Sequence, residues 1–224
     1  MTLLEKLRTI LHRDCFRPSI ANRSALIVEE QRQSIDLSKK KKWKQITEIK
    51  ELDGDEFFIS FDGKNHKTYS PYLIGKQETL TAKACDYIMF KPEAGRWTIV
   101  MGELKLGTAS FSANSISDQI GGSLAFLEYV KVILKLQYGC HELDNAKIQK
   151  RVIYKEKMSR CRGATISTPK RKNQSGRKRV LSPIVPLIVP FAHPRHDIIK
   201  IGLPFDDDKF SCCSLTLNEF LGRG

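Results

Sequence analysis

The chain has 224 residues, of which 41% are apolar, and its 38 lysines and arginines against 25 acidic residues give it a net charge of +13 at pH 7. This apolar fraction is sufficient for a sizeable core and excludes a wholly disordered chain. The sequence has no apolar run of the roughly 20 residues that a membrane-spanning helix needs, so we expect a soluble protein, cytoplasmic or, in a eukaryote, nuclear.

The first quarter of the chain is predicted to contain two helices followed by strands. Residues 1–14 predict an amphipathic helix, because their leucines and isoleucines recur every three or four residues. A second helix is predicted over residues 22–33 or 24–33, with a polar capping residue at either start. Residues 44–52 alternate weakly and residues 57–61 are strongly apolar, which favours two strands.

The middle of the chain is predicted to hold a hairpin and a long helix. Residues 84–90 and 97–106 are almost wholly apolar, and the Pro-Glu-Ala-Gly sequence between them indicates a turn, so they should pair as antiparallel strands. Because both strands are apolar on both faces, we expect them to lie centrally in a covered sheet. Residues 116–136 have the repeat of a buried helix that packs on that sheet.

The last third of the chain is predicted to be mainly strands. Residues 151–154, 184–191 and 197–203 have β-type sequences, residues 162–179 predict a loop, and residues 215–221 predict a short terminal helix. This order of elements predicts one α/β or α+β domain around a single mixed sheet.

The cysteines and histidines point to no disulfide framework or zinc site. The six cysteines contain no C-x-x-C pair, and Cys212 and Cys213 are adjacent, so we expect reduced, mostly buried thiols. His193 and His196 lack a second pair of ligands at zinc-binding spacing.

Three charged residues interrupt the two apolar strands of the predicted hairpin: Asp86, Glu103 and Lys105. Strand residues alternate faces, so Glu103 and Lys105 share one face, and Asp86 lies on the neighbouring strand. Two buried carboxylates repel each other unless a cation joins them, and Mg²⁺ takes one or two carboxylates together with waters and phosphates. The three residues therefore predict a Mg²⁺ (or Mn²⁺) site for phosphodiester hydrolysis, with Lys105 near the scissile phosphate.

A structural interpretation competes with this one. The sequence contains four (D/E)-x-K triplets, and those that begin at Glu48, Asp62 and Asp207 lie in polar or turn-forming sequence. Glu103 and Lys105 instead end a long apolar strand, where they could also form a buried salt bridge without any catalytic role.

Asp86, a spacer of 16 residues and the Glu-Leu-Lys triplet at 103–105 together resemble the active-site motif of the PD-(D/E)xK nuclease superfamily. The flanking sequence is similar to this family too, because a helix that opens with Ser-Asp-Gln-Ile at 117–120 follows the second strand. The resemblance covers roughly residues 57–156, and Cys85 stands where the motif has a proline.

The resemblance implies an α/β fold with a restriction-endonuclease-like core, in which helices flank a central mixed β-sheet. It also implies a Mg²⁺-dependent endonuclease that cleaves nucleic acid, usually DNA, in bacterial defence or mobile-element biology. Asp86, Glu103 and the backbone carbonyl of Leu104 would be the metal ligands. Lys105 would position or activate the attacking water, and Gln119 occupies the place of a helix glutamine near the site.

The resemblance also divides the chain into parts. It implies a single nuclease-like domain: an N-terminal helical and linker part (1–56), a catalytic core (57–156), a basic loop (157–182), and C-terminal strands with a short helix (183–224). Because this fold generally needs two sites to cut both strands, we expect a homodimer or a larger assembly with partner proteins. The alternative is a catalytically inactive protein that keeps the fold and binds nucleic acid or assembles a complex.

Some members of the superfamily add an acid from the first core helix. Glu29 or Glu30, in the predicted second helix of this chain, could have that role, but a solvated helix face is the better explanation for them.

The positive charge is concentrated in residues 147–180, which hold 13 lysines and arginines and a single acid. Such a segment predicts contact with the phosphates of a nucleic acid. Two other interpretations stay open, because the clusters at 170–172 and 177–179 resemble a nuclear localisation signal and a basic run can also be a solvated loop. The predicted nucleic-acid-binding residues are Lys157, Arg160, Arg162, Lys170, Arg171, Lys172, Arg177, Lys178 and Arg179.

Overall fold

The computed structural model describes residues 1–17, 26–33, 42–60, 83–108, 113–157, 187–191, 196–205 and 210–221. These residues form three helices and ten strands, which divide into a seven-stranded mixed sheet and a three-stranded sheet. The predicted α/β class and its central mixed sheet are confirmed.

The predicted first helix is present but shorter than expected. Helix α1 (Leu3–Ile10) begins with a capping box, in which the Thr2 hydroxyl accepts from the Glu5 amide and the Glu5 carboxylate accepts from the Thr2 amide. Leu3 and Leu7 are buried on one face of the helix. A single 3₁₀ turn (Arg13–Cys15) then leads into the short strand β1 (Phe16–Arg17).

The predicted second helix is wrong, because residues 26–33 form a strand. Strand β2 (Leu26–Gln33) pairs antiparallel with β3 (Lys42–Lys50), from Leu26 opposite Ile49 to Gln33 opposite Lys42. The Glu, Gln and Arg residues of this segment favour a helix locally, but pairing along β3 satisfies the backbone and overrides that weak preference. The further acid expected from a helix at Glu29 or Glu30 therefore has no helix to come from.

The main sheet follows the order β1–β4–β5–β6–β7–β9–β8. Its first four strands are antiparallel, β6, β7 and β9 run parallel, and β8 returns antiparallel on the edge. The ranges are β4 (Phe57–Ile59), β5 (Tyr87–Glu93), β6 (Arg96–Thr108), β7 (Lys147–Lys157), β8 (Leu187–Phe191) and β9 (Ile198–Phe205). The strands predicted near 57, 151, 184 and 197 are thereby confirmed, with different ends.

The predicted central hairpin is confirmed. Strands β5 and β6 pair from Tyr87 opposite Gly102 to Glu93 opposite Arg96, so the turn is only two residues long. Gly95 in that turn has a φ of +77°, a left-handed conformation that glycine adopts without steric cost.

The long predicted helix is also confirmed and joins two parallel strands. Helix α2 (Ala113–Tyr138) connects β6 to β7, as parallel neighbours require a crossover. Its buried residues, which include Ile116, Ile120, Leu127 and Leu134, pack on the sheet in a cluster with residues of α1.

The opposite face of the sheet is covered by a second cluster. Strand β10 (Phe210–Thr216) runs parallel to β3 and leads directly into helix α3 (Leu217–Leu221), whose apolar residues pack against Tyr87, Val100 and Ile153. The sheet is therefore covered on both faces, as the apolar strands predicted. The predicted terminal helix at 215–221 begins two residues later than expected, because Leu215 and Thr216 still belong to β10.

Arg151 shows that the basic segment is not uniformly a surface. Its side chain is buried within β7, and it donates to the Phe220 carbonyl at 3.1 Å and to the Leu221 carbonyl at 2.8 Å. These carbonyls lie at the end of α3 and lack partners within that helix. Arg151, one of the positive charges counted toward a polyanion contact, instead fastens the last helix to the sheet.

Among the helices of the described ranges, none combines the length and the apolar character needed to span a membrane.

Candidate active site

The residues of the predicted site meet where the second half of β6 passes under the first turns of α2. Ile99 and Met101 face α2, so the alternation of the strand directs Glu103 and Lys105 to that same face. Leu104 points to the opposite face, where it is buried in the second cluster. A charged pair is thus held under a helix by strand geometry alone.

Asp86 lies directly before β5, opposite Glu103. The register pairs Tyr87 with Gly102, and one further step places Asp86 across from Glu103, at a position where side chains of neighbouring strands stand about 5 Å apart. The Asp86 carboxylate accepts a hydrogen bond from the Leu104 amide at 2.5 Å through Oδ2. The β5–β6 pairing ends at Tyr87 and Gly102, so the Asp86 carboxylate supplies the acceptor that the Leu104 amide would otherwise find in the backbone of a paired strand.

The Leu104 backbone offers a second group on the same side. In an antiparallel ladder the amide and carbonyl of one residue point to the same neighbour. Because the Leu104 amide points to Asp86, its carbonyl faces that side as well. Asp86, Glu103 and the Leu104 carbonyl thus form a set of oxygen donors on adjacent strands.

Glu103, Lys105 and Gln119 form a closed network. The Lys105 ammonium pairs with Glu103 Oε1, and the Gln119 amide donates to the same oxygen at 2.5 Å. Gln119 Oε1 accepts from Lys105 Nζ at 3.3 Å. The Glu103 side chain is 2% exposed and that of Lys105 is 15% exposed, so the carboxylate is internal and the ammonium lies at the edge toward solvent.

Two contacts that the sequence did not indicate hold the chain before β5 against α2. The Cys85 amide donates to the buried hydroxyl of Ser123 at 2.8 Å, and Lys83 forms an ion pair with Asp118 at 2.6 Å. These contacts hold residues 83 and 85, which lie just before Asp86, against the helix. A serine and an aspartate on a helix are too common to be singled out from sequence.

Cys85 itself is a poor nucleophile in this setting. Burial raises the pKa of its thiol, and the nearby carboxylates of Glu103 and Asp86 raise it further. The thiol therefore stays protonated at neutral pH. Cys15 and Cys140 are also buried, and neither forms a disulfide with another described residue.

Glycine is required at position 102 because the Tyr87 ring approaches the backbone closely there, and not because of the backbone angles. A Cβ at this position would lie 1.9 Å from the Cζ and hydroxyl atoms of Tyr87, whose ring rests on the strand there. Tyr87 is buried and also packs on Phe220 with ring centroids 5.7 Å apart. The residue before Glu103 is therefore set by packing on the opposite face.

A buried lysine lies toward the other end of the same hairpin. Lys91 pairs with Glu56 at 2.8 Å and with Asp53, and Glu56 also accepts from the Asp53 and Gly54 amides at 3.3 and 2.9 Å. The Lys91 and Glu56 side chains are 8% and 1% exposed. We refer to Asp53, Glu56 and Lys91 as the turn cluster.

The predicted site residues have different outcomes. Asp86, Glu103, Leu104, Lys105 and Gln119 are brought together, while their chemical roles stay predictions. Of the nine predicted nucleic-acid-binding residues, Lys157 is the last residue of β7, and the other eight lie outside the described residues. Of the other (D/E)-x-K triplets, Lys50 is exposed and the two at 62–64 and 207–209 lie outside the described residues.

Two further features bear on ligand binding. Within the described ranges, there is no cluster of three or more His, Cys, Asp or Glu side chains that could hold a metal ion. A cavity of about 880 Å³ lies at the turn end of the hairpin, lined by α1, residues 54–58 and Trp97, and is separate from Asp86 and Glu103.

Comparison of the chain with protein-family models, with curated proteins and with solved structures finds no match.

Proposed function

We propose that this protein is a metal-dependent endonuclease that hydrolyses phosphodiester bonds in DNA. The observation that carries the proposal is the convergence of Asp86, Glu103, Lys105 and Gln119 from two strands and one helix. These are the residues that match the nuclease motif in the sequence, and they come from three separate segments of the chain.

The donor set fits a hard divalent cation. Two carboxylates and a backbone carbonyl are all-oxygen ligands, which suit Mg²⁺ or Mn²⁺. Two carboxylates beside a single ammonium leave one negative charge in excess, which a divalent cation would offset. In the proposal, Asp86, Glu103 and the Leu104 carbonyl hold the cation, which when bound polarises the phosphate and stabilises charge on it.

The other side chains orient the reactants. Lys105 donates hydrogen bonds as an ammonium, and at the solvent edge of the network it is placed to hold the attacking water and a phosphate oxygen. Gln119 fixes both Glu103 and Lys105, so that neither has to reorganise when substrate binds. The Leu104 amide does the same for Asp86.

The position of the basic segment supports a nucleic-acid substrate. Strands β6 and β7 run parallel, with Lys105 opposite Tyr154, so both strands end on the same side of the sheet. The chain therefore leaves β7 at Lys157, three residues beyond Tyr154 and at the same end of the sheet as the site, and continues into the sequence segment with most of the predicted phosphate contacts. Phosphate contacts of this kind make affinity steeply salt-dependent.

Incubation of plasmid DNA with the protein and Mg²⁺ or Mn²⁺ tests the proposal. We expect cleavage by the wild type and none by Asp86→Ala or Glu103→Ala. Cleavage that persists in both variants would show that these carboxylates are not the active site. An RNA substrate in parallel tests the choice of DNA.

A catalytically inactive nucleic-acid-binding protein is the second candidate. The observation in its favour is the closed ion pair of Glu103 with Lys105, which a purely structural salt bridge would also show. Such a protein would bind DNA with a steep salt dependence and cleave nothing with any divalent metal. A Mg²⁺- or Mn²⁺-dependent cut that needs Glu103 excludes it.

A further inference from the structure

Helix α2 carries an apolar stripe on the side that faces away from the sheet. Tyr129, Val132 and Leu136 are 44%, 52% and 84% exposed, and Ala125 is exposed in line with them. We call these four residues the α2 stripe. Single exposed apolar residues are ordinary on protein surfaces, but a continuous stripe on one helix face is typical of a contact surface.

The spacing of the α2 stripe is that of a helix–helix seam. Its residues follow one another at intervals of four, three and four positions, the pattern by which one helix packs along another. The core contacts of α2 are made by other residues, such as Leu127, Val130 and Leu134, so the described parts of the fold leave the stripe exposed.

We propose that the α2 stripe is the surface through which two copies of this chain pair, with their α2 helices antiparallel about a two-fold axis. In such a pair the same patch serves both copies, and each residue meets a fixed partner position. Tyr129 then lies opposite the partner's Val132, and Ala125 opposite the partner's Leu136. A small residue facing the most exposed large one is the complementarity that packing needs.

The charges beside the stripe match this arrangement. Glu128 precedes Tyr129 and Lys135 precedes Leu136, so both lie on the same flank of the stripe. A two-fold axis across antiparallel helices brings equal flanks together, which places Glu128 near the partner's Lys135 twice in each dimer. A parallel pair would instead bring opposite flanks together, so that Glu128 and Lys135 would not meet across the seam.

Both charges now have partners within the chain. Glu128 pairs with Lys131 at 2.7 Å, and Lys135 pairs with Asp144 at 2.8 Å. The Glu128 and Lys135 side chains are 64% and 40% exposed, whereas those of their partners Lys131 and Asp144 are 11% and 31% exposed. A carboxylate has two acceptor oxygens and an ammonium three donors, so Glu128 and Lys135 can each add a partner across the seam and keep the present one. Contact between the copies therefore leaves no buried charge without a partner.

Sedimentation of the whole protein in reducing buffer, without DNA or metal, tests the pairing independently of any nuclease activity. A seam of four residue pairs is small, so protein concentrations from about 1 μM to about 500 μM are needed to bracket a weak dimer. We expect a reversible monomer–dimer equilibrium that Val132→Glu and Leu136→Glu each abolish. Gln137→Glu, an exposed position on the same helix outside the stripe, is the matched control and should leave the equilibrium unchanged.

A charge exchange separates this contact from a loss of folding. Glu128→Lys or Lys135→Glu alone should weaken dimerisation about tenfold, because each creates two like-charge contacts per dimer. The double variant should restore it. Inside one chain, both substitutions set like charges side by side, Glu128→Lys against Lys131 and Lys135→Glu against Asp144. Recovery can therefore come only from contacts between copies.

Three results would overturn the proposal: a wild type that stays monomeric throughout this range, a dimer that Val132→Glu and Leu136→Glu leave intact, or a double variant no better than the single ones. The first result would also favour a different protein as the occupant of the stripe.

Discussion

A lysine held by carboxylates occurs toward each end of the β5–β6 hairpin. Toward the turn, Lys91 binds both Glu56 and Asp53; where β5 begins, Lys105 binds Glu103, with Asp86 on the neighbouring strand. Both clusters have two carboxylates and one lysine, and in both the glutamate is almost fully buried. Composition and the burial of the glutamate therefore do not distinguish them, although Asp53 is exposed whereas Asp86 is half-buried.

The two clusters differ in what completes their hydrogen bonding. In the turn cluster, the ammonium joins both carboxylates, and the remaining donors to Glu56 are amides of the adjacent turn. In the candidate site, the ammonium joins Glu103 to a helix glutamine, and Asp86 is held by a strand amide. One cluster closes a local turn, whereas the other assembles side chains from two strands and α2. We infer that the first stabilises the fold and that the second is arranged for a ligand.

The largest expected effect is on DNA cleavage, which should depend on Glu103 and not on Glu56. Glu103→Gln should lower DNA cleavage by about a thousandfold, because it removes charge where a cation and a phosphate meet. Glu56→Gln should leave the cleavage rate of the folded protein within about twofold and instead lower the free energy of unfolding by about 3 kcal/mol, since Lys91 loses a buried partner. Cleavage assays and chemical denaturation of both variants measure the two effects.

The distinction between the candidate site and the turn cluster is wrong if Glu103→Gln and Glu56→Gln have the same effects. Equal loss of cleavage in Glu56→Gln and Glu103→Gln would mean that activity only follows stability. A Glu103→Gln variant with full cleavage would leave Glu103 as a structural residue, equivalent to Glu56.

The next effect separates the clusters by metal binding. Mn²⁺ or Mg²⁺ at about 100 times its dissociation constant should stabilise the wild type by about 2.7 kcal/mol, because a ligand of the folded state adds stability by mass action. This gain should disappear in Asp86→Asn and persist in Asp53→Asn, which removes the matching aspartate of the turn cluster. Thermal unfolding with and without metal measures it, and an equal gain in both variants would place the metal elsewhere.

A smaller effect tests how the site is held. Ser123→Ala leaves the buried Cys85 amide without its acceptor, which should cost about 1–2 kcal/mol of unfolding free energy and loosen Asp86. We expect metal affinity and cleavage to fall about tenfold, in proportion to the misplacement of the carboxylate. Gln137→Ala, at an exposed position of the same helix, should change stability by less than about 0.5 kcal/mol.

Metal titration decides the role of Ser123. If Ser123→Ala is destabilised but binds metal and cleaves DNA as the wild type does, the serine is purely structural.

Much of the fold could be predicted because the segments with the strongest hydrophobic patterns are also the ones buried in the core. The hairpin strands and α2 have long apolar runs. The strands lie at the centre of the sheet, and α2 packs on one of its faces. Residues 26–33 were predicted as a helix because local propensity was the only signal there, and pairing with β3 decided the outcome. Strand β10 was missed for the same reason: its partner β3 is distant in sequence.

The site residues could be predicted for a different reason. Charges inside apolar strands are costly unless they are satisfied, so Asp86, Glu103 and Lys105 stood out without any knowledge of their neighbours. The turn cluster could not be found this way, since Asp53, Glu56 and Lys91 form no motif and meet only through the fold. Ser123 was missed because a single hydroxyl on a helix has no distinctive sequence context.

The smallest effect concerns the pH dependence of the turn cluster. Burial lowers the pKa of Lys91, but hydrogen bonds and charges from Asp53 and Glu56 outweigh it, and the pKa is raised overall. A raised lysine pKa means that the folded state favours the ammonium form. The resulting stability is fully present below the unfolded pKa of about 10.4 and is lost as the pH rises through the higher folded value.

Unfolding midpoints between about pH 8 and about pH 11.5, a range that brackets the unfolded lysine pKa, measure this loss. We expect the wild type to lose stability above about pH 10 more steeply than Lys91→Met, which has no proton to lose at this position. Lys147→Met, which removes an exposed lysine, should keep the wild-type slope. Identical slopes for the wild type and Lys91→Met would mean that the turn cluster contributes no charge-dependent stability, and the structural role assigned to it would rest on packing alone.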